Sequence, residues 1–321
     1  THGQPLLTEG PGESEVIPKI RHLLCQPYTW HGGFNTLSFD DEFLRYSFYR
    51  QLLDPYRHQY ADHCNRFDVL PMVVMYHAFA PDVMHWPMID NVVSYKLEHL
   101  NAENKWVSGQ AHDAMVDVSA TIAVAKALLQ QQDRWHYLLG FFEKGTDQDR
   151  VWQAANMHQS NIVIGVGLSL GKKDCCMAPM MVLPQSPRGN QVWLFRMDRP
   201  MINGEWDASA IVRKKWGEPP FILPFNERFK ERLSTVQLEV LSEMEEAIKQ
   251  NNTRFEEWLK VQYEHQYPHR AHLDIDASLY VNGFYSQKER DQSDVFLSEP
   301  EHRDQLLQQV EHTGLRQQMI R

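Results

Sequence analysis

The residues in this sequence with the clearest chemical use are His112 and Asp117, within Ala111-His112-Asp113-Ala114-Met115-Val116-Asp117. An imidazole can take a proton near neutral pH, and a carboxylate can hold a cation. A spacing of five residues is about 500° of α-helix, so the two side chains do not stack on one helical face. If His112 lies in the loop before an N-cap at Asp113, both can point into one pocket where a helix running to Leu129 begins. That end carries partial positive charge, which suits carboxylates and phosphates. A plainer reading stands beside it, with His112 a surface loop residue and Asp117 a first-turn acid.

Two further groups invite chemistry. Asp40-Asp41-Glu42 follows Phe39. Three successive acids favour a helix N-terminus, or Asp40 is a metal ligand at the end of a strand, with Phe39 buried and holding it in place. Lys172-Lys173, Arg188 and Arg213-Lys214-Lys215-Trp216 combine cations with an aromatic. Such a mix can clamp a single nucleic-acid strand, or it is solvated surface. His265, His269 and His272 surround Tyr267-Pro268 without carboxylate or cysteine support and read as a linker.

The elements that must position these groups follow from apolar spacing. Glu13 to Leu24 is an amphipathic helix with Ser14 as N-cap and Pro18 in its first turn. Tyr28 to Phe34 has strand-forming residues and a bend at Gly32-Gly33. A helix through Phe43 and Leu53 stops before Pro55. Arg66-Phe67-Asp68 opens another helix, and a short one starts at Ser94. Only one strand is clear in this first part, and a lone strand cannot form a sheet. Further strands are therefore expected elsewhere or upstream of Thr1. From about Arg134 the texture becomes a small, mostly β domain, with strands at Val163 to Leu170, Met177 to Leu183 and Gln191 to Arg196. Ser234 caps a helical stretch to Tyr263 that breaks at Asn251-Asn252-Thr253, and helix returns from about Glu301.

The 321 residues carry a net charge of −10, so no global basic field attracts nucleic acid. A polyanion must be held by local patches or by metal ions over acidic sites. The cysteines Cys25, Cys64, Cys175 and Cys176 form no C-x-x-C, which excludes a zinc ribbon or thioredoxin motif and fits a reducing cytoplasm. The longest apolar run, Ile162 to Leu170, is too short to span a bilayer.

Taken together the motifs resemble the bacterial exodeoxyribonuclease I family, of the histidine subgroup of the DEDD 3′–5′ exonucleases. The resemblance rests on Phe39-Asp40-Asp41-Glu42, Phe48-Tyr49-Arg50, Asp54-Pro55-Tyr56, Asn65-Arg66-Phe67-Asp68, Trp86-Pro87, Leu97-Glu98-His99-Leu100 and Ala111-His112-Asp113-Ala114-Met115-x-Asp117-Val118. Leu279-Tyr280-x-Asn282-Gly283-Phe284 is similar to the signature opening the family's C-terminal domain. The match is dense over roughly 30 to 132 and clear again over 277 to 300.

This resemblance implies an α/β architecture in three parts. Residues 1–132 are expected to be an RNase H-like exonuclease domain lacking its first strands, 133–274 an SH3-like α+β domain with helices, and 275–321 the start of a helical domain. It implies Mg²⁺-dependent hydrolysis of single-stranded DNA from a 3′ end, releasing 5′-mononucleotides, in DNA repair and recombination. Asp40 and Asp117 then correspond to ligands of a two-Mg²⁺ site and His112 to the general base. Lys96, where the family usually has an arginine, and Arg45 are expected to contact substrate. The implied protein is a cytoplasmic monomer whose partners are single-stranded DNA and a single-stranded-DNA-binding protein. The family's first-strand Asp-x-Glu and its later C-terminal helices are absent from the sequence, so an internal, inactive fragment is expected. A catalytically inactive module that binds single strands is the alternative.

Overall fold

The computed structural model describes residues 10–109, 113–184, 189–264, 273–281 and 283–321. The chain packs as two compact units. The first comprises Thr1–His31, Thr36–Arg66 and Pro268–Arg321, and the second Gly32–Asn35 and Phe67–Tyr267. The expected division at 132/133 lies inside the second unit, in a helix beginning at Gln132.

The chain begins with α1 (Glu13–Leu24), β1 (Trp30–Gly33), α2 (Asp40–Arg50), β2 (Asn65–Asp68) and α3 (Val69–Phe79). A hairpin of β3 (Met88–Ile89) and β4 (Val92–Val93) leads to α4 (Leu97–Asn104), α5 (Ala114–Leu129), α6 (Gln132–Leu139) and α7 (Lys144–Ala155). Five strands follow: β5 (Ile162–Val166), β6 (Met177–Val182), β7 (Gln191–Arg196), β8 (Ile211–Lys215) and β9 (Phe221–Pro224). The remaining helices are α8 (Glu227–Lys230), α9 (Thr235–Gln250), α10 (Asn252–Glu264), α11 (Gln287–Ser298), α12 (Arg303–Gln309) and α13 (Thr313–Ile320).

In the first unit, Ile17 of α1 packs with Phe48 and Leu53, and Glu13 pairs with Arg50 at 2.5 Å. Gly12 rather than Ser14 is the N-cap of α1, and Pro18 falls in the helix interior. Leu306, Val310, Leu315 and Met319 of the C-terminal segment form a core with Leu52, and the Gln318 amide donates to the Tyr49 carbonyl at 3.1 Å. The C-terminal helices therefore build one core with α2.

The partner of the apparently lone strand is β2. It occupies residues expected to open a helix, because α3 starts at once behind it with no turn between. Asp68 makes the switch: its carboxylate accepts from Leu70 N–H at 2.9 Å and from Asn35 N–H at 2.7 Å. The next helix, α3, is apolar on every side and buried on every side, as such a sequence requires.

The second unit's sheet is antiparallel, in the order β8-β7-β6-β5-β9. Alternate residues enter two cores. Val163, Met180, Val182, Val192 and Leu194 face α7, while Ile162, Leu183, Trp193 and Phe195 face Leu241, Met244, Phe255 and Leu259 of α9 and α10. Burial on both faces explains why these strands read as continuous apolar runs. Strand β5 ends at Val166, and Leu168–Leu170 is a 3₁₀ turn. Consecutive strands β8 and β9 lie at opposite edges, about 19 Å apart if the sheet were flat. The link between them, 216–220, spends part of its length on a turn in which Glu218 N–H donates to Lys215 O at 3.3 Å. Lys215 to Phe221 is six Cα steps, about 20–22 Å when straight, but the turn holds Lys215 within about 7 Å of Glu218 and the three remaining steps add at most about 11 Å. The sheet is therefore curled until its edges approach.

Candidate functional site

The acidic triplet sits where α2 begins, its charges opposing the helix's own partial positive end. No strand delivers Asp40, and Phe39 is 68% exposed instead of buried. The buried acid is Asp41, 3% exposed. It faces two guanidinium groups, that of Arg66 in direct contact and Arg45 Nη2 at 3.6 Å. Glu42 is held as well: Arg45 Nη1 lies 3.2 Å from Oε2, and the Tyr280 hydroxyl donates to the same oxygen at 2.6 Å. Asp40 alone of the three is exposed, with no side-chain partner among the described residues. Asp40 is thus the one acid of the triplet left open, beside two that are engaged.

Arg45, expected at the substrate, has a different setting. It is 7% exposed, joins Asp41 to Glu42, and lies over the Tyr56 ring at 5.5 Å. Its charge is used within the fold.

Beneath this turn, one ligand atom each from His31, Asp41 and His58 lie within 4.8 Å of one another. Burial, then the Arg66 charge, pushes the His31 pKa down to about 4. Burial, then His31 and Arg45, pushes His58 down to about 3. Both rings are thus neutral at pH 7 and chemically able to bind a metal. The electrostatics disfavour it: Asp41 already answers two cations, and a divalent ion would set four positive charges against the two carboxylates of Asp41 and Glu42. The cluster fits a polar knot of the core. Nothing in the sequence separated Asp41 from Asp40; only burial does.

In the second unit, Asp113 caps α5 as expected, its carboxylate accepting from Met115 N–H at 3.0 Å and Val116 N–H at 3.4 Å. Asp117 follows in the first turn, half-buried, its carboxylate without a partner among the described residues. His112 lies outside the described residues, as do Arg188, Asn282 and the histidines at 265, 269 and 272. Lys96 stands just before α4, exposed and 3.7 Å from Glu98. His99 is satisfied by Ser94 Oγ at 2.8 Å.

The basic run at 213–216 is not the open clamp its composition offered. Lys214 is fully buried, with Nζ 2.6 Å from Asp147 Oδ2 and 2.7 Å from Glu218 O. Arg213 lies over the Trp193 ring at 4.8 Å, and Trp216 is buried. Cations are presented instead by Lys172, Lys173 and Arg199, all exposed, around a groove of about 560 Å³ beside the start of α9. Arg199 carried no signal in the sequence, since the fold alone brings it to the lysine pair.

No family model matches the chain. Curated exodeoxyribonuclease I proteins match it at 30 to 37% identity. That of Escherichia coli K12 is 37% identical over 132 residues, which is 41% of this chain and 28% of the relative. Over 39 to 53% of its length the chain is similar to curated exodeoxyribonuclease I proteins. It spans less than half the length of the curated family members it matches. E. coli exonuclease I in complex with a 5cy-dT13 oligonucleotide superposes with a TM-score of 0.80 at 23% identity, over 97% of this chain and 70% of that one. The zinc-bound form of the E. coli enzyme's complex with single-stranded DNA gives 0.79 at 23% identity, over 97% and 70%. The fold is thus common to this chain and those family structures.

Proposed function

We propose that this chain carries the catalytic portion of a Mg²⁺-dependent 3′–5′ exonuclease that degrades single-stranded DNA to 5′-mononucleotides. The observation that carries the reading is the open carboxylate of Asp40 in the family's acidic motif, followed by two acids already engaged. Residues 1–132 are read as the RNase H-like nuclease domain, 133–274 as the SH3-like domain and 275–321 as the start of the helical domain. Asp40 and Asp117 are the chain's metal ligands. Divalent ions held there would acidify an attacking water and offset charge on the leaving 3′ oxygen. His112 takes the water's proton, which needs a neutral imidazole at working pH. Lys96 holds a phosphate by charge alone, without the bidentate fork of an arginine. The groove of Lys172, Lys173 and Arg199 supports contact with the strand's backbone.

The test compares the 321-residue chain alone with the same chain given two further carboxylates. Joined to an upstream strand bearing Asp-x-Glu, it should release mononucleotides from a 5′-labelled oligonucleotide in Mg²⁺ and none in EDTA. In that active chain, His112→Ala should lower turnover by about 10²–10⁴-fold with little change in DNA affinity. Robust Mg²⁺-dependent digestion by residues 1–321 alone would show that other groups hold the ions. Binding without release from the joined chain would favour the inactive single-strand-binding module.

A further inference from the structure

The first unit contains a cavity of about 400 Å³ that the hydrolytic reading does not use. Its volume lies in the range of small-molecule sites, about 300–1,000 Å³. Arg21 of α1, Arg57, and Arg290 of α11 line it together with Tyr56, Tyr60 and Phe284. None of Asp40, Asp41 or Glu42 does.

Two features of the lining are unusual for a surface with no ligand. Large aromatic side chains stand open beside cations: Phe284 is 83% exposed and Tyr60 57%. Phe284 and Tyr56 hold their ring centroids 5.3 Å apart, so neighbouring aromatic surfaces face the same space. The second feature is Arg21, whose Nε is buried with no hydrogen-bond partner among the described residues. A guanidinium has five N–H donors and no acceptor, so Arg21 is set up to meet an acceptor through the groups it presents to the cavity. Arg57 uses Nη2 on Asp62 at 3.0 Å, and Arg290 reaches Tyr285 O at 2.7 Å and Gln287 at 3.1 Å. Each of these arginines retains further N–H groups. The acid Asp54 is partly satisfied, taking Tyr56 N–H at 2.9 Å and the Tyr60 hydroxyl at 3.3 Å.

Arginines supply paired donors for phosphate oxygens, and aromatic faces supply stacking for a planar base. We infer that this cavity binds a nucleoside 5′-monophosphate, with the phosphate on Arg21 and Arg57 and the base against Phe284 and Tyr60. Asp294, also in the lining, is an acceptor for a base amino group or a sugar hydroxyl. The ligand belongs to the same chemical class as the product of the proposed hydrolysis, but its binding needs neither the metal ligands nor turnover.

The test is titration calorimetry of the 321-residue chain with dAMP in EDTA. Saturable binding at one site is expected, with deoxyadenosine and inorganic phosphate each at least tenfold weaker. Arg21→Gln and Phe284→Ala should each weaken dAMP at least tenfold, while Asp40→Asn leaves it unchanged. Arg57→Gln provides a second route should Arg21→Gln fail to fold, as judged by its thermal melt. No saturation at millimolar dAMP overturns the inference, as does unaltered affinity in folded Arg21→Gln and Arg57→Gln. Loss of binding in Asp40→Asn would move the nucleotide to the carboxylates and also overturn it. Because no arm measures hydrolysis, the cavity reading can stand if the nuclease reading fails, and the reverse.

Discussion

At the scale of single residues, neighbours of one chemical type have been given opposite tasks by burial. Asp40 and Asp41 are adjacent, yet one is open and the other faces two guanidiniums. The same burial makes His31 and His58 sensors of acid. Above the ordinary histidine pKa near 6.5 both rings are neutral whether the chain is folded or not, so nothing is lost there. Below it the unfolded chain takes up protons that the folded chain refuses until about pH 4 for His31 and about pH 3 for His58. Stability should therefore fall as pH drops from about 6.5 toward 4, by an amount on the order of a few kcal/mol. Urea unfolding at pH 7 and pH 4.5 measures it, and a His31→Leu, His58→Leu chain should lose less across that interval. An equal loss in both would assign the pH dependence to the carboxylates.

At the scale of elements, short polar signals proved sufficient where a side chain itself ends or begins a helix. Asp113 before α5, Ser234 before α9 and the Asn251 break are local chemistry, and all three are found as the sequence suggests. Asp113→Ala should cost about 1 kcal/mol through loss of this cap, read as a lower urea midpoint. A change under a few tenths would mean that packing alone fixes the start of α5. What the sequence hid was long-range. Strand β2 is four residues joined directly to a helix, so neither alternation nor a turn announces it. Strand β8 reads as a basic patch because its Lys214 points inward to Asp147, a partner 67 residues away. Lys214 looked like solvent-facing charge only because its partner was invisible. Helix α11 was missed despite its Ser286–Glu289 capping box, since its apolar stripe is thin. For the candidate site, residue types and motif order singled out Asp40 and Asp117 as candidates, whereas the engagement of Arg45 required coordinates.

At the scale of the whole molecule, the net charge of −10 repels a polyanion, so attraction must be local and strongly screened by salt. If Lys96, Lys172, Lys173 and Arg199 each meet a phosphate, log affinity for single-stranded DNA should fall with log salt at a slope of roughly −3. Replacing the three groove cations by glutamine should reduce that slope to roughly −0.7 in fluorescence anisotropy titrations. A slope unchanged by the replacement would place the strand elsewhere. The curled sheet bears on how this protein can vary through descent. Its link at 216–220 is a ruler: added residues would let β8 and β9 spread and unroll the sheet from both of its cores. Composition is held there as well, by the buried Trp216 and by Gly217, where an added Cβ would lie 2.8 Å from Phe142 O. Elsewhere on a surface, lengthening a loop costs little, because closure entropy grows only slowly with length. Among related sequences, then, this connection should keep both its length and its Trp-Gly pair, and insertions should collect in the other turns of the same sheet.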